Sequence, residues 1–411
     1  MPTSQTQSQQ VPIGAYFGLP GMTQPFEQFD NVTQVVTAGA LSNLTPFNPP
    51  NALQKTDIVR WWELETAFTV GTTFTGSTIS PEAPYNLFQS MKMKYQGQYS
   101  PLEVESGFDA AFFQMYRPMR GPGQNSVQPL LEAAPVSGYA NTTIPQTNQT
   151  TTGIVANPAA STVWNFTLEL PASLFIDQYW NLAADGTILP NSQGVARPIA
   201  AIVSPQYMGG GERNITPAFN IAALNAANAD QGPLVGSTAG AASLTQSIRR
   251  VGYYGTTDPA ILPPVFNWQY RRASKRVPFG AATKIDIPVT EYGQLLSVYV
   301  RIFDPTAGTY YNVANITKCQ LLYGSNLARF DDDVIAMQRR FIDQHGIVPP
   351  QGTVAWDMAG STSGNGLSND SRVLNTLTNA NTHVHIENTT APNATAYAVI
   401  GTELLVPVTT Q

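Results

Sequence analysis

The sequence predicts an all-β protein made of two consecutive strand-rich blocks. Three observations carry that expectation. Charged residues are only 12% of the 411, about half the usual share, while Gly and Pro number 32 each. Short apolar runs with alternating faces recur between turn signals. The two blocks also repeat one order, strands then a helix then strands. At 42% apolar and a formal net charge of −6, the chain has enough apolar surface to fold and fits two units of about 200 residues.

Residues 1–55 are polar and proline-rich, with no helix or strand period, and read as an extended N-terminal arm. IVRWWELETAFTVGTTF opens the first block, followed by YNLFQSMKMKYQGQYSPLEVESG and DAAFFQMYRP as further strand-length runs. Residues 118–160 form a long neutral loop, of a length that implies function or disorder. WNFTLEL then alternates, with Trp164, Phe166, Leu168 and Leu170 on one face. SLFIDQYWNLAADG predicts a short helix with Ser173 as its N-cap and Gly186 as its stop. Residues 206–246 read as a second long insertion.

The pattern restarts near residue 265. KIDIPV turns Ile285, Ile287 and Val289 inward, LLSVYVRIF and ITKCQLLY are buried strands, and THVHIE and AYAVIGTELLVPV close the block. Between them stands FDDDVIAMQRRFIDQHG. Its three consecutive aspartates raise the question of a metal site, but each charge has a helix-building role. Asp331 or Asp332 caps the helix, Val334, Met337 and Phe341 share one face, and Arg339 and Arg340 sit toward the C-terminal end. FIDQ also occurs at 175–178 and at 341–344. A match of four letters is close to chance, so the shared order of elements is the stronger sign of duplication.

Composition excludes several functions. The acidic balance opposes nucleic-acid binding, which draws on a basic surplus. The one dense basic stretch, Arg271, Arg272, Lys275 and Arg276, reads as a solvated strand end or a subunit contact. Cys319 is the only cysteine and lies in a buried-strand pattern, so it reads as a structural thiol. No run of about 18 apolar residues offers a membrane span, and MPTSQTQSQQ lacks the regions of a signal peptide. Ten N-x-S/T sequons, Asn141 and Asn165 among them, fit a chain this rich in Asn and Thr.

Candidate chemistry is sparse. His383 and His385 are two apart on a strand, so they share a face, as in the metal motif of cupins. That motif needs a glutamate four or five residues further on and a later histidine. Here Glu387 is only two past and no histidine follows. The pair reads as two outward histidines. GGGERN lacks the setting of a phosphate loop, and Trp61, Trp62, Trp164 and Trp180 fall in strand or helix patterns that favour the core. No catalytic, cofactor-binding or metal-ligating residue is assigned.

The order of pieces resembles the double jelly-roll major capsid proteins of tailless, membrane-containing icosahedral phages of the tectivirus type. DIVRWWELETAFTVG, SPEAPYNLFQSMKMKY and WNFTLELP carry the likeness in the first block. LLSVYVRIFD, RRFID, PPQGTVAWD and GTELLVPV carry it in the second, over residues 55–408. The resemblance implies two consecutive eight-stranded antiparallel jelly rolls with short loop helices, the first over 56–265 and the second over 266–411. It also implies a non-enzymatic capsid subunit without cofactors. Its partners would be its own copies, as homotrimers and neighbouring trimers of pseudo-hexagonal outline, together with vertex and minor capsid proteins. The arm would reach internal membrane lipids, and nothing would contact nucleic acid directly. The protein would be assembled in the host cytoplasm and reside in the virion shell. On the residues alone two other readings stay open: a secreted carbohydrate-binding or glycan-cleaving β-sandwich, and a cupin-like metalloenzyme using His383 and His385.

Overall fold

The computed structural model describes residues 22–37, 42–43, 58–76, 78–80, 82–95, 99–116, 159–171, 174–175, 198–200, 215–221, 230–236, 241–255, 268–324, 327–345, 349, 352–358, 374–376 and 381–407. Sixteen of its strands fall into two sets of eight. The first set is β1 (Met22–Thr37), β2 (Ser42–Asn43), β3 (Ile58–Val70), β4 (Phe88–Tyr95), β5 (Tyr99–Val104), helix α1 (Gly107–Tyr116), β6 (Val163–Pro171), β7 (Ile215–Ile221) and β8 (Ala241–Gly255). The second is β9 (Trp268–Pro278), β10 (Lys284–Pro288), β11 (Gln294–Asp304), β12 (Ile316–Tyr323), β13 (Leu327–Asp332), helix α2 (Val334–His345), β14 (Thr353–Asp357), β15 (His383–Asn388) and β16 (Tyr397–Pro407).

Hydrogen bonding orders the first set as β1-β8-β3-β6 and β2-β7-β4-β5, and the second as β9-β16-β11-β14 and β10-β15-β12-β13. The two orders agree position by position, and each set carries its helix between its fifth and sixth strands. Each set is an eight-stranded antiparallel jelly roll. The rolls share a sheet. β5 runs parallel to β9, with Leu102 opposite Arg272 and Glu103 opposite Ala273.

Alternation places each core. In β3, Leu64, Phe68 and Val70 turn inward while Glu65 is exposed. In β6, Trp164, Phe166, Leu168 and Leu170 are buried, and Trp164 stacks on Phe68 at 5.0 Å between ring centroids. In the second roll Ile287, Val300, Cys319, Leu321, Val384, Ile386 and Ile400 share one core with Met337 of α2. The strand patterns of WNFTLEL, KIDIPV and ITKCQLLY are therefore met.

Four expectations need correction. The arm is one. Met22–Thr37 is not free of regular structure but is β1, paired along its length with β8, so the first roll starts well before residue 56. Its apolar residues do not alternate, which hid the strand. The second long insertion likewise contains a core strand, β7, paired with β4. DAAFFQMYRP is not a strand, because Gly107–Tyr116 is α1. The described part of that helix is buried on all sides, with Phe108, Asp109, Ala110, Ala111, Phe112 and Phe113 all covered, so no polar stripe marks the helical period. Finally, the predicted helix at SLFIDQYWNLAADG fails at its start. Leu174–Phe175 is a two-residue strand paired with the strand at Pro198–Ala200, and the remainder lies outside the described residues. FIDQ is thus no structural repeat: its first copy begins in a strand, its second in α2. Residues 117–158, which include nearly all of the predicted loop, and residue 265 also lie outside the described residues.

Helix α2 forms as expected, with Val334, Met337 and Phe341 buried. The three aspartates divide their roles differently. Asp333, not Asp331 or Asp332, is the cap, accepting from the Ala336 N–H at 2.7 Å. Asp332 is buried, takes a two-pronged contact from Arg340 at 2.5 and 2.8 Å, and accepts from Trp356 Nε1 at 3.0 Å. Asp331 is exposed, 4.0 Å from Lys318. Asp333→Ala is accordingly expected to cost about 1 kcal/mol of stability in urea unfolding. Asp331→Ala should stay within about 0.5 kcal/mol of the parent protein, and equal effects would contradict this division.

Candidate functional site at the seam between the two rolls

Side chains on a strand point alternately to its two faces, and a sheet with one solvated face leaves one set exposed. β11 has no such set. Val298, Val300 and Ile302 enter the core of its own roll. Ser297, Tyr299, Arg301 and Phe303 point the other way and are just as buried. Part of what covers them comes from the first roll, namely α1 and the turn at Glu82. Phe112 and Phe113 pack edge-on against Tyr299, at 4.4 and 5.3 Å, and Phe112 stacks on Phe341 of α2 at 6.3 Å. Gly401 of β16 lies opposite Tyr299, and a Cβ there would sit 2.0 Å from Tyr299 Cε1. Only glycine leaves room for that ring.

Two buried arginines organise the seam. Arg301 pairs with Glu82 and, at 2.7 Å, with Asp109. Asp109 also accepts from Tyr299 Oη at 2.8 Å and Ser274 Oγ at 3.0 Å, so residues of β9 and β11 converge on one carboxylate of α1. Arg272, fully buried, donates to Tyr270 Oη at 2.8 Å and lies 3.4 Å from Glu403 of β16. Glu403 accepts in turn from Tyr270 and, at 3.0 Å, from Ser297 Oγ. Arg276 stacks over the Tyr397 ring at 4.0 Å, and Arg271 reaches Glu103 at 3.4 Å and Glu291 at 3.1 Å. The basic stretch is thus a solvated strand end only in part: Lys275 and Arg276 are exposed, whereas Arg272 is buried and Arg271 is half-buried. Arg271 joins the two rolls through Glu103.

Burial pushes the Asp109 carboxyl up from 3.8 to about 6, against the hydrogen bonds from Tyr299 and Ser274 that pull it down. The nearby Glu105 carboxylate adds a smaller push in the same upward direction. Burial also raises the Tyr310 hydroxyl, which accepts from Arg301 at 3.2 Å.

The other candidates lie apart from the seam. His383 and His385 project from β15 opposite Val384 and Ile386, as the spacing predicts. His385 Nδ1 lies 2.6 Å from Asp286 Oδ1, and Nε2 lies 3.1 Å from Glu387 Oε1. The hydrogen bond with His385, and then the one from Lys284, hold the Glu387 carboxyl below its usual range. Among the described residues no group of three or more His, Cys, Asp or Glu is arranged to hold a metal ion. Burial pushes the Cys319 thiol far up, which makes it inert at neutral pH. Trp61 and Trp62 are in β3 and Trp164 is in the first core, whereas Trp180 and GGGERN lie outside the described residues. The seam itself was missed at the sequence level, since its partners are up to 192 residues apart.

The seam gives two predictions. Glu403→Gln leaves Arg272 buried without its counter-charge and is expected to cost about 3–5 kcal/mol. Replacing both partners, Arg272→Met with Glu403→Leu, should recover most of that loss in denaturant unfolding. The second concerns pH. Asp109 has a folded-state value above its unfolded one, so the stability it contributes is complete below about pH 3.8 and is lost as the pH rises through about 6. Over that window the loss is about 3 kcal/mol. Asp109→Asn should flatten this part of the curve of melting temperature against pH, and an unchanged slope would contradict the assignment.

No family model matches the sequence, and no curated protein does. Solved structures do match in fold. The STIV major capsid protein has 14% identity and a TM-score of 0.51, with 92% of this chain and 97% of that one covered. The atomic structure of Sulfolobus Turreted Icosahedral Virus gives 13% identity and 0.50 over 93% and 91%. VP54 of PBCV-1, fitted into a reconstruction of the virophage Sputnik, gives 11% and 0.50 over 92% and 94%. The chain has the double jelly-roll fold of these viral major capsid proteins.

Proposed function

We propose that the chain is a major capsid protein whose copies form trimers of pseudo-hexagonal outline, and that these trimers tile an icosahedral shell over an internal membrane. One observation carries the reading. A single chain holds two jelly rolls of identical strand order, fixed side by side by a buried seam. Three such chains present six nearly equivalent blocks, which suits a six-neighbour lattice. The scarcity of charge supports dense packing of identical copies, because like charges on repeated surfaces repel.

In this reading the protein is a structural component and not an enzyme. It resides in the virion after assembly in the host cytoplasm. Its partners are further copies of itself, with vertex and minor capsid proteins where the lattice bends. The division between the rolls lies near residue 265, residues 118–160 face outward or clasp a neighbour, and the segment before β1 reaches membrane lipid. Nucleic acid is not contacted directly. Among the described residues no helix is long and apolar enough to cross a membrane.

Native mass tests the proposal. Each chain is 44.3 kDa, so light scattering should report about 133 kDa, persisting on dilution; closed three-fold rings are a minority among oligomers. A monomer at all concentrations would overturn it.

A further inference from the structure

Carboxylate oxygens only accept hydrogen bonds, and a neutral imidazole has one donor nitrogen and one lone pair. The outer face of β10-β15-β12-β13 sets these groups against one another. His383, His385 and Glu387 follow one another along it on β15. Across the ladder, Asp286 of β10 and Gln320 of β12 stand opposite His385, and Lys284 and Lys318 stand opposite Glu387. Lys284 lies 3.0 Å from Glu387, and Lys318 lies 4.0 Å from Asp331. Asp286 faces the two histidines instead: its Oδ1 is 2.6 Å from His385 Nδ1 and 3.8 Å from His383 Nε2.

The far nitrogens of both rings are already engaged. His383 Nδ1 is 3.1 Å from the Asn381 carbonyl oxygen, and His385 Nε2 is 3.1 Å from Glu387 Oε1. Both of those oxygens are acceptors, so each neutral ring carries its proton on that side. The two remaining nitrogens, His383 Nε2 and His385 Nδ1, then turn lone pairs toward the same Asp286 oxygen. Two lone pairs and a carboxylate meeting at one place repel one another unless a cation stands between them.

We propose that this cation is a divalent transition-metal ion of the zinc class, ligated by His383 Nε2, His385 Nδ1 and Asp286 and open to water at its remaining position. The site does not depend on the capsid role proposed above. The donor set selects the ion, since imidazole suits zinc, copper and nickel, whereas magnesium and calcium take oxygen ligands. Zinc–ligand distances put two donors of one tetrahedral ion about 3.3 Å apart, and the separations of 2.6 and 3.8 Å lie on either side of that value. As they stand, the carboxylate is closed onto His385 and the donors do not surround one point. Seating the ion takes a rotation of Asp286 toward His383, which its 64% exposed side chain permits. A carboxylate or carbonyl on the far nitrogen orients a ligating histidine and makes it a stronger ligand. Glu387, too near His385 in sequence for the ligand position of the cupin motif, is well placed for this supporting role. The ion ties β10, at the edge of its sheet, to β15.

Calorimetric titration of the full-length, chelator-treated chain with Zn²⁺ decides the matter, and the third of its three histidines supplies the control. One ion per chain is expected. His383→Ala and His385→Ala should each weaken binding about tenfold or more, and Glu387→Gln should do the same through His385. His345→Ala, at the end of α2, should leave it unchanged. Zn²⁺ should also raise the melting temperature of the parent, because an ion that binds only the folded chain stabilises it, and a chelator should reverse the rise. Mg²⁺ at the same concentration should do neither. A parent that takes up no Zn²⁺, uptake that survives both histidine substitutions, or equal uptake of Mg²⁺ would overturn the site. Melting without metal checks that each variant folds; where an alanine variant does not, His383→Gln or His385→Gln takes its place and the same loss is expected.

Discussion

One buried guanidinium group, that of Arg301, fixes how the halves of this protein sit. Arg301 and Arg272 rise from a sheet face that would be solvated in an isolated jelly roll. They are buried because carboxylates meet them, Asp109 and Glu82 from the first roll and Glu403 within the sheet. Removing one partner strands a charge away from water, which costs far more than the pair gains. The rolls are thus held in one relative placement, and α1 is committed to the space between them. Apolar packing alone would permit sliding. Directed hydrogen bonds from Arg301 and Tyr299 to Asp109, at 2.7 and 2.8 Å, do not.

The seam also explains local choices that look odd in isolation. Gly401 interrupts a β-rich strand because the Tyr299 ring lies across it on the way to Asp109. Ser274 is nearly buried because it bridges the Glu105 N–H and the Asp109 carboxylate. Asp109 is the one charged residue of α1, and it pairs with Arg301, whose guanidinium also lies over the Phe108 ring. By contrast α2 needs a polar anchor only on its inner side. Asp332 supplies it through Arg340 and Trp356, and the outer side stays open. The same fold position therefore holds two helices of different character, one internal to the chain and one at its surface.

The duplicated halves are not buried alike. The outer face of β9-β16-β11 is covered within the chain by α1, whereas the outer side of α2 is open. The charged outer face around His385 is kept soluble by Lys284, Asp286 and Glu387.

The all-β class, the strands of the second roll and α2 were legible in the sequence because each obeys one local rule. WNFTLEL and KIDIPV alternate over one buried face, and VIAMQRRFIDQH has an apolar stripe with charges behind it. The double jelly-roll order was reached by resemblance, and the pairing of strands bears it out. What the sequence did not disclose are the elements whose surroundings are not local. β1 lacks alternation, yet its backbone pairs with β8 more than 200 residues away. α1 lacks a polar stripe because both of its sides are covered. Arg272 of β9 read as solvated because its burial depends on Glu403 and on α1, neither of which is near it in sequence. Periodicity records whether a segment has one wet face and one dry face. It carries no information about a segment with two dry faces, or about which distant carboxylate neutralises a buried cation. Those were decided only when the two rolls came together.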